Sequence, residues 1–214
     1  MKAHTLVALV VLLGGCAEVL PLGVIAPIQD YPPESLRAFV GAPIRVEEAG
    51  HACTGSMVAD DGSTQCLYVD SVYRGRYRVV ETLVGPLPGP EATVRMSGHG
   101  GIPDAVHRPF VLLLAAETED GLKLLRYQAH AVHRTVEGRW AACGDPLARD
   151  GRSSAKALRF PPGTDFGPPA DDAYFVERRL REAEPGDYEE RDGRLLCRRG
   201  IFADEIVGAW GRMR

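Results

Sequence analysis

Apolar and polar residues alternate through the middle of the chain, and the period changes near its end. Between residues 91 and 97, Ala92, Val94 and Met96 alternate with Thr93 and Arg95, the two-residue repeat of a half-buried strand. Residues 76–84 alternate in part and are rich in valine, a residue whose branched side chain suits a pleated surface. The intervening Gly85-Pro86-Leu87-Pro88-Gly89-Pro90 is turn chemistry. Residues 109–116 form a continuous apolar run, short enough for a strand buried on both faces. Glu119-Asp120-Gly121 turns the chain, residues 122–136 read as one long strand with room for a bend, Glu137-Gly138 turns it again, and residues 139–143 pair back. Residues 44–143 are therefore expected to form a β domain, either an antiparallel meander or a small barrel.

Outside this stretch the pattern differs. Residues 33–40 predict a short helix, with proline in the first turn and Gly41 as the stop. Residues 144–170 are rich in Pro, Gly, Ser and Asp and read as a surface loop or linker. Beyond them Ala173, Val176, Leu180 and Ala183 recur at helical spacing, with Asp171 or Asp172 as N-cap and Pro185-Gly186 as the stop. Asp192-Gly193 between two short strands predicts a hairpin over residues 188–199. Residues 202–213 predict a second amphipathic helix, with Phe202, Ile206, Ala209, Trp210 and Met213 on its apolar face and Asp204 and Glu205 early, as the helix dipole prefers. The expected class is α+β: a β domain followed at residues 171–214 by a helix-hairpin-helix appendage packed upon it.

The first 15 residues, MKAHTLVALVVLLGG, have a basic start at Lys2 and an apolar stretch from Thr5 to Leu13, too short to span a bilayer. Leu13-Gly14-Gly15-Cys16 resembles the lipobox of bacterial lipoproteins. That resemblance implies that the leader 1–15 is removed and that Cys16 carries a diacylglyceryl group with a further acyl chain, palmitate-type anchoring in the cell envelope. Ala17 in the following position, rather than Asp, implies sorting to the outer membrane, with the folded part facing the periplasm. Residues 16–43 then form a tether and the short helix.

The remaining cysteines are Cys53, Cys66, Cys143 and Cys197. An even number in an oxidising compartment predicts two disulfides, with three possible connectivities. Cys53–Cys66 is favoured because Asp61-Gly62 makes a short polar loop between them, and Cys143–Cys197 follows. A zinc site built on cysteine would show close pairs such as C-x2-C, and the chain has none.

The order strand, Gly-Pro-rich turn, strand, buried run at residues 109–116, Asp120-Gly121 and final strand resembles the OB-type barrel of netrin-like and TIMP-like domains, over about residues 66–143. In those inhibitors a free N-terminal cysteine acts. Here Cys16 is expected to be acylated, so that mechanism is not carried over.

Charge narrows the partners. The formal net charge is −4, and loss of Lys2 with the leader makes it −5. Nucleic-acid binders usually carry a basic excess, so no nucleic-acid partner is expected. Among candidate chemistries, Ser97-Gly98-His99-Gly100-Gly101 resembles an esterase oxyanion loop, but the G-x-S-x-G nucleophile motif of that family is missing. His130 and His133 are three apart, which on a strand puts them on opposite faces. His51 and His107 could join them only if the fold gathers them. Glu81, Glu91, Asp104, Asp145 and Asp150 offer no spacing that selects a pair. Arg178, Arg179, Arg181, Arg191, Arg194, Arg198 and Arg199 could bind an acidic polymer, but interleaved glutamates favour a salt-bridged surface.

The expected function is that of a membrane-anchored envelope lipoprotein with a non-catalytic binding or structural role. It would have no cofactor or metal, and its partners would be the membrane and another envelope component. The alternatives are a periplasmic hydrolase, with or without a metal, using His99, His130 or His133 with nearby carboxylates, and a ligand barrel with a cavity lined by residues such as Val111, Leu113 and Leu124.

Overall fold

The structure, a computed structural model, describes residues 31–58, 61–99, 104–148, 153–167, 186–192 and 194–212. Five strands close a barrel: β1 (Leu36–Val58), β2 (Thr64–Val84), β3 (Glu91–His99), β4 (Val111–Thr118) and β5 (Gly121–Ala131). Their order around the barrel is β1-β2-β3-β5-β4. All pairings are antiparallel except β3 with β5, which is parallel. Of the two arrangements expected, a meander or a small barrel, the described strands form the closed barrel.

The sheet closes because β1 is long enough to serve two neighbours. Its first residues, Leu36 to Gly41, pair with β4 on one side while Ala38 onward pairs with β2 on the other. The short helix expected at residues 33–40 is therefore only one 3-10 turn, Pro33–Ser35, and Leu36 already begins the strand. Side-chain alternation overrode the helical punctuation. Phe39 points into the barrel, whereas Ala38 and Val40 point outward to a second core. Gly41 lies inside the strand rather than ending a helix, and an added Cβ there would stand 3.0 Å from Tyr77 Cβ.

β4 sits between the two cores. Val111, Leu113 and Ala115 fill the barrel with Phe39, Tyr77, Val94 and Met96. Leu112, Leu114 and Ala116 point the other way, against Trp140, Ile201, Ile206 and Trp210. The continuous apolar run of residues 111–116 is thus buried on both faces, as its pattern predicts. The interior is packed with side chains; Val111 and Leu113 are fully buried core residues rather than the lining of a ligand cavity.

Beyond the barrel the chain forms a second layer. β6 (His133–Arg134), β7 (Trp140–Cys143), β8 (Lys156–Ala157) and β11 (Arg199–Phe202) make a sheet in the order β6-β7-β11-β8. β9 (Tyr188–Arg191) and β10 (Arg194–Cys197) make the expected hairpin, with Asp192 at φ 53°. Helix α1 (Ala203–Arg212) buries Ile206 and Trp210 against the outer core. Its start differs by one residue from expectation, because Phe202 pairs with Ala141 as the last residue of β11. The long strand expected at residues 122–136 is interrupted between Ala131 and His133. It also bulges where Ala129 and Leu124 face Leu113 and Ala115, with Tyr127 at φ 62°. The region 144–170 contributes β8 and is not a loop throughout. The helix expected within 171–185 lies outside the described residues.

Candidate binding surfaces

The outer wall of the barrel across β2, β3 and β5 concentrates positive charge. Gly75 and Tyr77 point inward, so Arg74, Arg76 and Arg78 point outward from β2. On β3, Ala92, Val94 and Met96 are buried and Thr93, Arg95 and Ser97 are exposed. The register sets Arg74 opposite Arg95, and Arg95 beside the exposed Lys123 of β5. Arg45 of β1 stands opposite Arg76. Like charges directly across a sheet repel and lower stability. Three acids moderate the wall: Glu47 pairs with Arg45 at 2.7 Å, Glu91 with Arg76 at 3.7 Å, and Asp120 approaches Arg95 at 4.0 Å. Arg74 and Arg78 have no ion pair among the described residues. A hollow of about 420 Å³ lies between Arg74, Thr93, Arg95 and Asp120. Another, of about 260 Å³, is lined by Tyr31, Ser97, Thr118 and Lys123 among others. Such a wall can hold anionic oxygens. The acidic overall charge conceals it, although the period-two repeat of arginine at 74, 76 and 78 is visible in the chain.

A second basic hollow, of about 820 Å³, separates the loop at residues 158–164 from the β9–β10 hairpin. Arg159, Arg191, Arg194 and Arg198 line it, together with Phe160, Pro161, Pro162 and Asp192. Its cations are largely neutralised. Glu189 holds Arg191 at 2.6 Å and also pairs with Arg198, and Glu137 holds Arg159 at 3.3 Å. Arg199 lies 3.5 Å from the buried Asp187. The mixed salt-bridged surface expected for these arginines is what the structure has here. Arg178, Arg179 and Arg181 lie outside the described residues.

The histidines have separate surroundings. His130 Nε2 lies 3.3 Å from Gln128 Oε1. The His133 ring packs on Phe166 with centroids 4.5 Å apart. Burial pushes the His133 pKa below its ordinary value, the charge of Arg108 adds to this, and Asp165 opposes it. His51 Nδ1 lies 3.7 Å from Glu48. Ser97, Gly98 and His99 end strand β3 rather than opening a loop. The side chains of His99 and His107, with Gly100 and Gly101, lie outside the described residues. Among the described residues no three His, Cys, Asp or Glu side chains gather with metal-binding geometry.

The carboxylates singled out from the sequence are occupied structurally where they are described. Glu81 accepts from Trp140 Nε1 at 2.9 Å and pairs with Arg134 at 3.0 Å. Asp145 accepts from the backbone N–H groups of Leu147 and Ser154, at 2.8 and 2.5 Å. The Asp104 side chain and Asp150 lie outside the described residues.

Cys143 at the end of β7 is disulfide-bonded to Cys197 at the end of β10, with Cα atoms 5.6 Å apart. Cys53 and Cys66 belong to the two strands of the β1–β2 hairpin, where Cys53 faces Tyr68 and Ser56 faces Cys66. Their side chains and Cys16 lie outside the described residues. No known family, curated protein or solved structure matches this chain. No helix among the described residues is long and apolar enough to cross a membrane.

Proposed function

We propose that this chain is a lipid-anchored protein of a bacterial envelope, held by acyl chains on Cys16, whose barrel presents a non-catalytic binding surface. The observation that carries the reading is the Cys143–Cys197 disulfide, which links positions 54 apart. Such bonds persist in oxidising compartments and are rare where thiols are kept reduced. It agrees with an exported chain whose leader ends at Gly15, within Leu13-Gly14-Gly15-Cys16. Two or more acyl chains on one residue give stable anchoring, since each buried methylene contributes about 0.8 kcal/mol. Ala17 favours the outer membrane, with the barrel in the periplasm.

The strand order β1-β2-β3-β5-β4, with β3 parallel to β5, supports an OB-type barrel. Barrels of this order bind very different ligands, so the order supports a binding role without selecting the ligand. The netrin-like and TIMP-like resemblance belongs with this reading.

Metabolic labelling with palmitate tests the anchor. The wild-type chain should incorporate label and partition with membranes, and Cys16→Ala should lose both. Equal labelling of the two would remove the anchor. Affinity capture from detergent-solubilised membranes, comparing the same two chains, tests the binding role. One envelope component should co-purify with the wild type and be depleted from the variant.

A further inference from the structure

We infer that the cationic wall around Arg74, Arg95 and Lys123 rests on the anionic headgroups of the bilayer that holds the protein's own lipid anchor. The inference rests on the anchor proposed above and adds an orientation to it.

The first support is the charge arrangement. Arg74, Arg95 and Lys123 occupy one row across three neighbouring strands. Arg76 and Arg78 continue along β2, and all five are exposed. Neighbouring strands lie about 4.8 Å apart, and residues two apart on a strand about 6.8 Å. The cations thus form an L with arms of about 10 and 14 Å rather than a single track, with Thr93 and Glu91 opposite Arg76 and Arg78. A linear polyanion would follow one arm of the L, whereas a layer of headgroups meets both. The cations stand on a chain of net charge −4, so the acidic excess lies away from this wall.

The second support is where the tether leaves. Tyr31 lines the same hollow as Arg95 and Lys123. Cys16 and Tyr31 are 15 positions apart, a reach of at most about 50 Å when fully extended. An acylated Cys16 therefore keeps the edge of this wall within about 50 Å of the bilayer, where a weak attraction acts at raised effective concentration. The wall also carries exposed apolar side chains at Ile44 and Val80, 43% and 37% accessible, beside Arg45 and Arg78. Apolar groups at the edge of a basic patch suit the boundary between headgroups and acyl chains.

The test uses residues 17–214, the processed chain less its lipid-bearing Cys16, so that acyl chains do not mask the wall. Flotation is measured with phosphatidylcholine vesicles and with vesicles containing phosphatidylglycerol. The chain should float only with the anionic vesicles, and high salt should release it. Arg74→Gln with Arg95→Gln should weaken binding about 25-fold, at about fivefold per cation. Arg159→Gln with Arg194→Gln removes equal charge from the other basic hollow and should leave binding within about twofold. Thermal melting of the wall variant should not fall, because the substitutions relieve a like-charge contact. Equal flotation with both vesicle types overturns the inference, as does equal loss in the two variants. Binding of soluble polyphosphate without binding of anionic vesicles also overturns it, in favour of a polymer ligand. Palmitate labelling of the full chain separates the two readings. Label without flotation leaves the anchor standing and removes the orientation, and flotation without label leaves a basic wall that needs another route to the membrane.

Discussion

Trp140 of β7 donates its indole N–H to Glu81 of β2 at 2.9 Å, across the boundary between the barrel and the second sheet. The Arg134 guanidinium lies 4.5 Å over the same indole ring and 3.0 Å from the same carboxylate, so the three side chains form one unit. Trp140 also belongs to the outer core with Leu112, Leu114, Ile206 and Trp210. Removing the tryptophan deletes both packing and hydrogen bond, and Trp140→Ala should cost about 3–5 kcal/mol. Glu81 is partly exposed, so Glu81→Ala should cost less, about 1–2 kcal/mol, chiefly through the unpaired indole N–H. Urea unfolding of both single variants and the double variant measures this. The double should be less destabilised than the sum of the singles.

The disulfide makes a second prediction. Cys143 and Cys197 join the β6-β7-β11-β8 sheet to the β9–β10 hairpin. A closed loop of this length restricts the unfolded chain, and Cys143→Ser with Cys197→Ser should lose about 4 kcal/mol in the chain-entropy account. Amide exchange should rise first in the hairpin, whose two strands pair only with each other. A urea midpoint unchanged by reduction would show that packing of Leu195, which is almost fully buried, already holds the hairpin.

These two contacts differ in how far the chain announces them. The buried run at residues 111–116, the Gly-Pro turn at 85–90 and the Asp192 hairpin follow local rules, and each appears where the sequence puts it. The start of β1 does not. Proline at 32 and 33 and Gly41 imitate helix punctuation, yet Phe39 is needed inside the barrel and Val40 outside it, and only a strand sends neighbours to opposite faces. The parallel β3–β5 pairing is equally hidden, because it depends on which strands meet after closure and not on any local pattern. The basic wall was half legible: arginines at 74, 76 and 78 already share a face, but the positions opposite them are set only by register. The histidines were singled out by residue type, and type alone says nothing of whether distant strands bring them together.

Close packing inside the barrel gives a third prediction. A Cβ added at Gly75 would stand 2.5 Å from Tyr77 Cε2 and 2.8 Å from Met96 Cε. Both neighbours are essentially inaccessible to solvent, so neither side chain has free space to enter. Gly75→Ala should therefore destabilise the protein by about 1–3 kcal/mol. Gly89, in the turn between β2 and β3, would meet nothing within 4 Å. Gly89→Ala should be neutral or stabilise by about 0.4–1 kcal/mol, through a less free unfolded chain. Thermal melts of the two variants provide the comparison, and a loss at Gly89 matching that at Gly75 would contradict it.

Acid should weaken the second sheet through His133. Its ring is packed against Phe166 and its pKa lies below the ordinary 6.5, because burial disfavours the imidazolium, the charge of Arg108 adds to this, and Asp165 offsets only part. The unfolded chain, with an ordinary histidine, takes up the proton first as pH falls. Between the unfolded and the lower folded pKa the unfolded state holds more protons, so stability rises with pH across that window. The contribution is complete above about pH 6.5, is lost as pH drops below it, and stops changing once the folded protein is protonated too. His133→Phe keeps an aromatic contact with Phe166 and removes the titration. Its urea midpoint should vary less than the wild type's between about pH 7.5 and 5, with the two curves diverging below about 6.5. Parallel curves across that window would mean that His133 is already charged in the folded protein or that its ring is not held against Phe166.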